Sequence, residues 1–238
     1  MKDQYVGDVS DYLKYAMLRA WSARGLSVAL GWMRTEPDVR SDGGLIRYLG
    51  RPERYRELDP ELFDGLARLV ATDQRSVRNV VELELIAGSF SYEALLQDDH
   101  EARDAWFAGL ARCAKEAQIM FLDPDNGLEV ATVPRGRAGS RRYVYLEELR
   151  TVRVPGQAIV VYQHFPRVVR ETYLNVQLRR LTEVWPGALT FAVCSPRIAL
   201  LLSVPSALSD TMFDAARALV DGGTGGVGVR IYVPTMSK

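Results

Sequence analysis

Asp123, Pro124, Asp125 and Asn126 follow an apolar run, Ile119 to Leu122, and lead into Gly127. Strands covered on both faces read as continuous apolar segments, and ligands of α/β sheets bind beyond the strand carboxyl ends. A carboxylate delivered there can accept hydrogen bonds from an amine, serve as a base, or hold a hard cation such as Mg2+ or Mn2+. The same five residues also compose a well-formed turn, because Asp, Pro, Asn and Gly are the residues turns favour sterically. A second apolar run ends in Tyr162-Gln-His-Phe-Pro-Arg167. His164, one of two histidines, can shuttle protons near neutral pH or simply bond a backbone carbonyl. Arg167 can clamp a phosphate or carboxylate through its planar fork or lie in water. At a helix start its charge opposes the macrodipole, which an anionic ligand would relieve. If the two strands are neighbours, Asp123, Asp125, Asn126, Gln163, His164 and Arg167 surround one crevice.

The elements that must position these groups are legible in the periodicity. Ser10 precedes a helix from Asp11 to Trp21, with Leu13, Met17, Leu18 and Trp21 on one face and Gly25 as its stop. Leu26 to Met33 is a strand, followed by a polar turn through Gly44. Residues 45–86 read as short helices, among them Pro60 to Val70 with Pro60 in the first turn, within a helical insertion spanning about 45–100. Asp99 to Gln118 is a long helix feeding the Asp123 strand. Residues 134–142 form a glycine-broken, mobile basic loop whose Arg135, Arg137, Arg141 and Arg142 suit phosphate contact or plain solvation. Order resumes at Tyr143 to Leu149. Gln157 to Gln163 is a strand and Pro166 to Trp185 a helix. Ala188 to Ser195 and Arg197 to Val204 make an antiparallel hairpin about Ser195-Pro196. Ser209 to Val220 is a helix, Gly222 to Gly228 a connector, and Val229 to Val233 a last strand. The expected fold is α/β, one doubly wound, mostly parallel sheet with an antiparallel C-terminal edge, in a single domain over residues 1–238.

Thirty basic and thirty acidic side chains cancel, so overall charge forces no nucleic-acid or membrane partner. Cys113 and Cys194 lie far apart without a Cys/His cluster, which argues against a zinc site or a disulfide framework and for a reduced cytoplasm. No stretch approaches the roughly 20 apolar residues that span a bilayer.

The N-terminal Gln4-Tyr-Val-Gly-Asp-Val-Ser-Asp-Tyr-Leu-Lys-Tyr15 resembles the opening signature of a bacterial large-subunit ribosomal RNA adenine-N6 methyltransferase family, Phe-His-Ala-Gly-Asn-His-Ala-Asp-Val-Leu-Lys-His. Gly7, Asp11, Leu13 and Lys14 match it. Asp123-Pro124 falls where that family carries Asp-Pro-Pro-Tyr after an apolar strand. The later elements stay collinear, through Tyr162, the Arg-rich helix, Val204-Pro205, a Gly-Thr-Gly connector and Val233-Pro234. The resemblance implies a class I methyltransferase-like fold, S-adenosylmethionine as cofactor and RNA or DNA as substrate. It implies that Asp123 orients the acceptor amine, and together with the strand-end reading above it makes Asp123, Asn126 and His164 the catalytic candidates. Tyr5, Asp11, Lys14, Gly31 and Asp42 would then face the cofactor, and Asp125, Gln163, Arg167, Arg141 and Arg142 the substrate. The chain departs from the pattern twice. Gly31 is a single glycine inside a strand where a glycine-rich turn is expected, and Asp125-Asn126 replaces Pro-Tyr, so a base-stacking ring must come from Tyr5, Tyr162 or Phe165. Two other readings remain open. One is a metal-dependent nuclease or phosphodiesterase using Asp38, Asp42, Asp123 and Asp125 to hold Mg2+ or Mn2+. The other is an inactive module that binds RNA or protein.

Overall fold

The computed structural model describes residues 1–36, 44–152, 154–222 and 227–234. In chain order the elements are α1 Val9–Ser22, β1 Val28–Gly31, α2 Pro52–Tyr55, α3 Pro60–Ala71, α4 Val77–Glu82, β2 Ser89–Tyr92, α5 His100–Cys113 and β3 Ile119–Leu122. They continue with β4 Gly127–Leu128, β5 Tyr143–Val144, α6 Leu146–Thr151, β6 Ala158–His164, α7 Arg170–Val184, β7 Leu189–Cys194, β8 Ile198–Val204, α8 Ser206–Asp221 and β9 Arg230–Tyr232. Seven strands form one sheet in the order β2-β1-β3-β6-β8-β7-β9, and β4 pairs only with β5. β2, β1, β3 and β6 are parallel, whereas β8 runs antiparallel to both β6 and β7, and β9 antiparallel to β7. This is an α/β fold with a parallel centre and antiparallel C-terminal strands.

Side-chain alternation along the strands builds two cores, one on each face. Ile119 and Phe121 of β3 and Val160 and Tyr162 of β6 pack with α1, α3 and α8. Met120, Leu122, Ile159 and Val161 face the opposite way, toward α5, α6 and α7. The helices therefore cover both faces, and every residue of β1 and β3 is buried. The Trp21 indole N–H donates to the Met212 carbonyl at 3.1 Å and ties α1 to α8.

Capping fixes where the helices begin. The Asp8 carboxylate accepts from the Ser10 N–H, Asp59 from Leu62 and Asp99 from Ala102, each satisfying an otherwise orphaned donor. The α7 helix begins at Arg170, later than the sequence implies, because residues 166–169 pass Pro166 in a non-helical approach. Arg167 therefore does not sit at a helix start, and the electrostatic argument attached to it belongs to Arg170 instead. Ser89–Tyr92, inside the stretch read as helical, is the edge strand β2. Among the described residues no helix is long and apolar enough to cross a membrane.

Candidate functional site

The parallel register brings the two chemistry-bearing strand ends side by side. Leu122 pairs with Val161, so Asp123 emerges level with Tyr162. The Asp123 N–H donates to the Gly31 carbonyl at 3.0 Å, which fixes the start of the following loop against β1. Beyond it, the Asn126 N–H donates to the Arg142 carbonyl at 2.9 Å, and the Asn126 carbonyl accepts from the His164 N–H at 3.0 Å. Gln163 completes the fixation. Its Nε2 donates to the Asn126 carbonyl at 2.8 Å and its Oε1 accepts from the Leu128 N–H at 2.9 Å. Gly127 is required between them, since its φ is +122° and a Cβ there would lie 2.3 Å from the Gln163 amide.

Against this loop α1 presents an ammonium. Lys14 is only 2 % exposed. Its Nζ donates to both Asp123 oxygens, at 3.0 and 2.8 Å, and lies 2.7 Å from Asp11 Oδ1. The ring of Tyr162 faces the same ammonium, with its centroid 4.8 Å away, a cation–π distance. Tyr15 donates to Asp11 Oδ2 at 3.3 Å. Two carboxylates around one ammonium leave the ionised cluster one negative charge in excess, and burial resists that state. Burial, only partly offset by Lys14, accordingly pushes the Asp11 carboxyl up to about 7. For Lys14 burial pulls downward, but Asp11 and Asp123 together hold the ammonium above its ordinary value. Burial and the neighbouring carboxylates drive Tyr15 well upward, while Tyr162 rises by burial against the pull of Lys14.

The cluster lies in the wall of a cavity of about 620 Å³ at the carboxyl ends of the strands. Of the residues singled out from sequence, Tyr5, Asp11 and Lys14 line it from the N-terminal segment. Asp123, Asp125, Asn126 and His164 line it from the two strand ends. Tyr162, one of the three rings the sequence offered for stacking, lines it as well, and the structure adds Asp8 and Arg197. From sequence, Asp8 is an acid near the start of the first helix, a place that favours the helix dipole without any ligand. Arg197 carried no sequence signal, because it reaches the site through the antiparallel course of β8. Asp125 is ion-paired to the Met1 amino group at 2.9 Å.

Other expected contributors serve the scaffold. A Cβ on Gly31 would lie 2.9 Å from a Leu110 methyl and 3.2 Å from a Leu122 methyl, so this glycine makes room for α5 on β1 and gives the cavity no backbone cradle. Gln163 is buried and spends its amide on the loop. Arg141 is tied to Asp98, whose carboxylate accepts from the Arg141 N–H at 2.7 Å and the Gly139 N–H at 3.0 Å. Partial burial pushes Asp98 upward, but those N–H groups and the arginine charge outweigh it and hold the carboxyl below its ordinary value. Arg142 contributes its carbonyl to Asn126 rather than a side chain to the cavity, and Arg167 lines a separate, more open depression beyond His164. Asp38 and Asp42 lie outside the described residues.

The basic loop is anchored at its base. Fully buried Arg103 donates to Glu148 Oε1 and Oε2 at 2.6 and 2.8 Å and to the Tyr143 carbonyl at 2.9 Å. Arg135 shares Glu148 at 2.9 Å and also pairs with Asp104. Two of the four arginines of the patch are thus spent on internal carboxylates, and the loop is ordered rather than free.

Among the described residues no group of three His, Cys, Asp or Glu side chains is arranged to hold a metal ion. Asp123 and Asp125 already face internal ammonium groups. Both cysteines are free, and burial pushes the Cys194 thiol up to about 12. No protein-family model matches the chain, and no curated protein matches its sequence.

Proposed function

We propose that this chain is a methyltransferase-fold enzyme that transfers the methyl group of S-adenosylmethionine to an amino group of a nucleic-acid base. The observation that carries the reading is the meeting of Lys14 and Asp123, 109 residues apart in sequence, in the wall of one strand-end cavity. Lys14 belongs to the N-terminal signature and Asp123 to the Asp-Pro strand end on which the family resemblance is built, and the α/β sheet is compatible with such a domain. An ionised carboxylate offers about four lone-pair sites, so Asp123 can accept from an acceptor amine after two are used by Lys14. Pro124 and Asn126, also in the lining, stand beside it on a loop fixed by Gln163. Asp11 exchanges its proton near neutral pH and is the group placed to relay one away from that amine.

The cavity also suits the cofactor. Its volume lies within the roughly 300–1,000 Å³ of small-molecule sites. The carboxylates of Asp8, Asp11 and Asp123 suit a cationic sulfonium, and Tyr5 offers an aromatic wall. When bound, the cofactor supplies an electrophilic methyl group. Gly31 plays no part in holding it. No observation favours the nuclease alternative, because the cation beside Asp123 is Lys14 itself.

The test is labelled methyl transfer from S-adenosylmethionine to pooled RNA and DNA, alongside titration calorimetry with the cofactor. The wild type is expected to bind cofactor and label a nucleic acid, and Asp123→Asn to lose transfer by a larger factor than it loses cofactor affinity. Absence of both binding and transfer in the wild type would end the proposal.

A further inference from the structure

Beside the 620 Å³ cavity lies a second one of about 420 Å³, and the two share Ser10, Gly44, Leu45 and Arg197 as common wall. Tyr48 lines only the second. It is 4 % exposed, and its ring is held by stacking on Tyr12 at 5.3 Å and edge contacts with Tyr55 and Phe63. Its hydroxyl is buried and has no hydrogen-bond partner among the described residues. A buried, unpaired hydroxyl costs free energy, so a tyrosine there, where phenylalanine would pack equally well, has to be explained by something that bonds it.

The charges around this cavity narrow what that is. Arg47 lines it, and Arg197 stands where it meets the first cavity and a third depression of about 660 Å³ that Arg167 and Arg170 also line. None of these four arginines has a carboxylate partner among the described residues. A guanidinium fork at the junction of the pockets, with further arginines in their walls, matches phosphates linking groups that occupy the pockets. A lone nucleotide would leave the second cavity and its hydroxyl unused.

Resting on the proposed function, we infer that the 420 Å³ cavity is a subsite for the nucleotide adjacent to the target, in a single-stranded nucleic acid whose linking phosphate is held by Arg197. Tyr48 donates or accepts at the edge of that neighbouring base. A strand whose adjacent bases enter separate pockets is unstacked, so the substrate is single-stranded or a loop rather than intact duplex.

Fluorescence anisotropy with labelled six-nucleotide RNA and DNA strands, their duplexes, and adenosine monophosphate as competitor tests this. One of the single strands is expected to bind at least about tenfold tighter than its duplex and than the mononucleotide, the scale of one lost charge-assisted contact. Arg197→Ala should cost about tenfold in strand affinity. Tyr48→Phe should cost several-fold while leaving mononucleotide affinity unchanged and melting temperature equal or raised, since it deletes only an unpaired hydroxyl. A purely structural Tyr48 would leave strand affinity unmoved, and that result overturns the subsite. Equal affinity for strand, duplex and mononucleotide also overturns it, while methyl transfer to a mononucleotide would leave the proposed function standing. No binding of any nucleic acid would remove both.

Discussion

Replacing Lys14 by methionine probes the buried cluster directly. The side chain keeps its length and apolar stem, but the ammonium 2.7 Å from Asp11 and 2.8 Å from Asp123 is gone. Coulomb's law at an effective dielectric of about 20 assigns each contact roughly 6 kcal/mol of attraction before desolvation is set against it. The net loss on removing one partner of a buried ion pair is smaller, about 3–5 kcal/mol, because the orphaned carboxylates partly neutralise themselves. For a chain of this size that corresponds to a fall in Tm of about 6–20 °C at pH 8.

The pH dependence carries the sharper test. In the wild type burial holds the folded Asp11 carboxyl at about 7, against 3.8 for a carboxyl in water, so between those values the folded state binds the extra proton. The contribution of Asp11 is therefore fully present below pH 4 and falls as pH rises through 7. Without Lys14 the two carboxylates confront each other with no cation between them, and the Asp11 carboxyl, which Lys14 pulls down, moves higher still. The gap between Lys14→Met and wild type should be small at pH 5 and widen toward pH 8. Urea unfolding followed by circular dichroism at pH 5, 6.5 and 8 measures it. Adding Asp123→Asn to Lys14→Met should restore part of the loss, a coupling of about 0.5–3 kcal/mol. A penalty below about 1 kcal/mol at pH 8, the scale of an exposed pair, would refute the cluster as described, as would one independent of pH.

Three further outcomes follow from the scaffold. Gly127→Ala, which forces a Cβ into the Gln163 amide at a φ of +122°, should cost about 1–3 kcal/mol in chemical denaturation and lose methyl transfer more steeply than stability. Arg103→Met strands the buried Glu148 carboxylate and should lower stability by about 3–5 kcal/mol, with Glu148→Gln in the same chain recovering part of it in a double-mutant cycle. The Asp98 carboxyl is held below its ordinary value, so its contribution is present above the unfolded value and lost as pH falls through the lower, folded one. Limited proteolysis within 134–142 should therefore appear at acid pH in the wild type and already at neutral pH in Asp98→Asn.

How far the sequence reached depends on where each residue's determinants lie. The apolar runs of β1, β3, β6, β7 and β8 and the Ser195-Pro196 corner carry their own signal, and the sheet follows from them. Ser89–Tyr92 does not, because Ser-Phe-Ser-Tyr is a half-exposed edge strand with no continuous apolar run. Lys14 stands out only through the family resemblance, and its partnership with Asp123 is not legible, since the carboxylate that helps make its burial tolerable arrives from 109 residues away. Gly31 and Gln163 read as ligand contacts because glycine and a strand-end amide are chemically suited to that. Only three-dimensional packing shows that Leu110 claims the space over Gly31 and that Asn126 and Leu128 claim the Gln163 amide. The arginine patch looked mobile because Asp98, Asp104 and Glu148, which tie it down, belong to other segments.

The replacement of an aromatic by Asn126 has a structural counterpart. The Asn126 backbone is committed at both polar atoms, its N–H to Arg142 and its carbonyl to His164 and Gln163, and the chain turns at once through Gly127 into β4. The loop is therefore specified by its main chain, which frees the side chain at this position from supplying a ring. Under the proposed function the ring has to come from outside the loop. Tyr162 faces the Lys14 ammonium across its own π surface, and that engagement makes it part of the charge cluster. Phe165 packs against Tyr173 in the other core and does not line the cavity, whereas Tyr5, with the Lys2 ammonium 5.8 Å from its ring centroid, is half-buried in the cavity wall on the same N-terminal segment that leads into Lys14. Under the proposed function the N-terminal segment would then act on the substrate as well as on the cofactor, and the Asp123 loop would orient the amine.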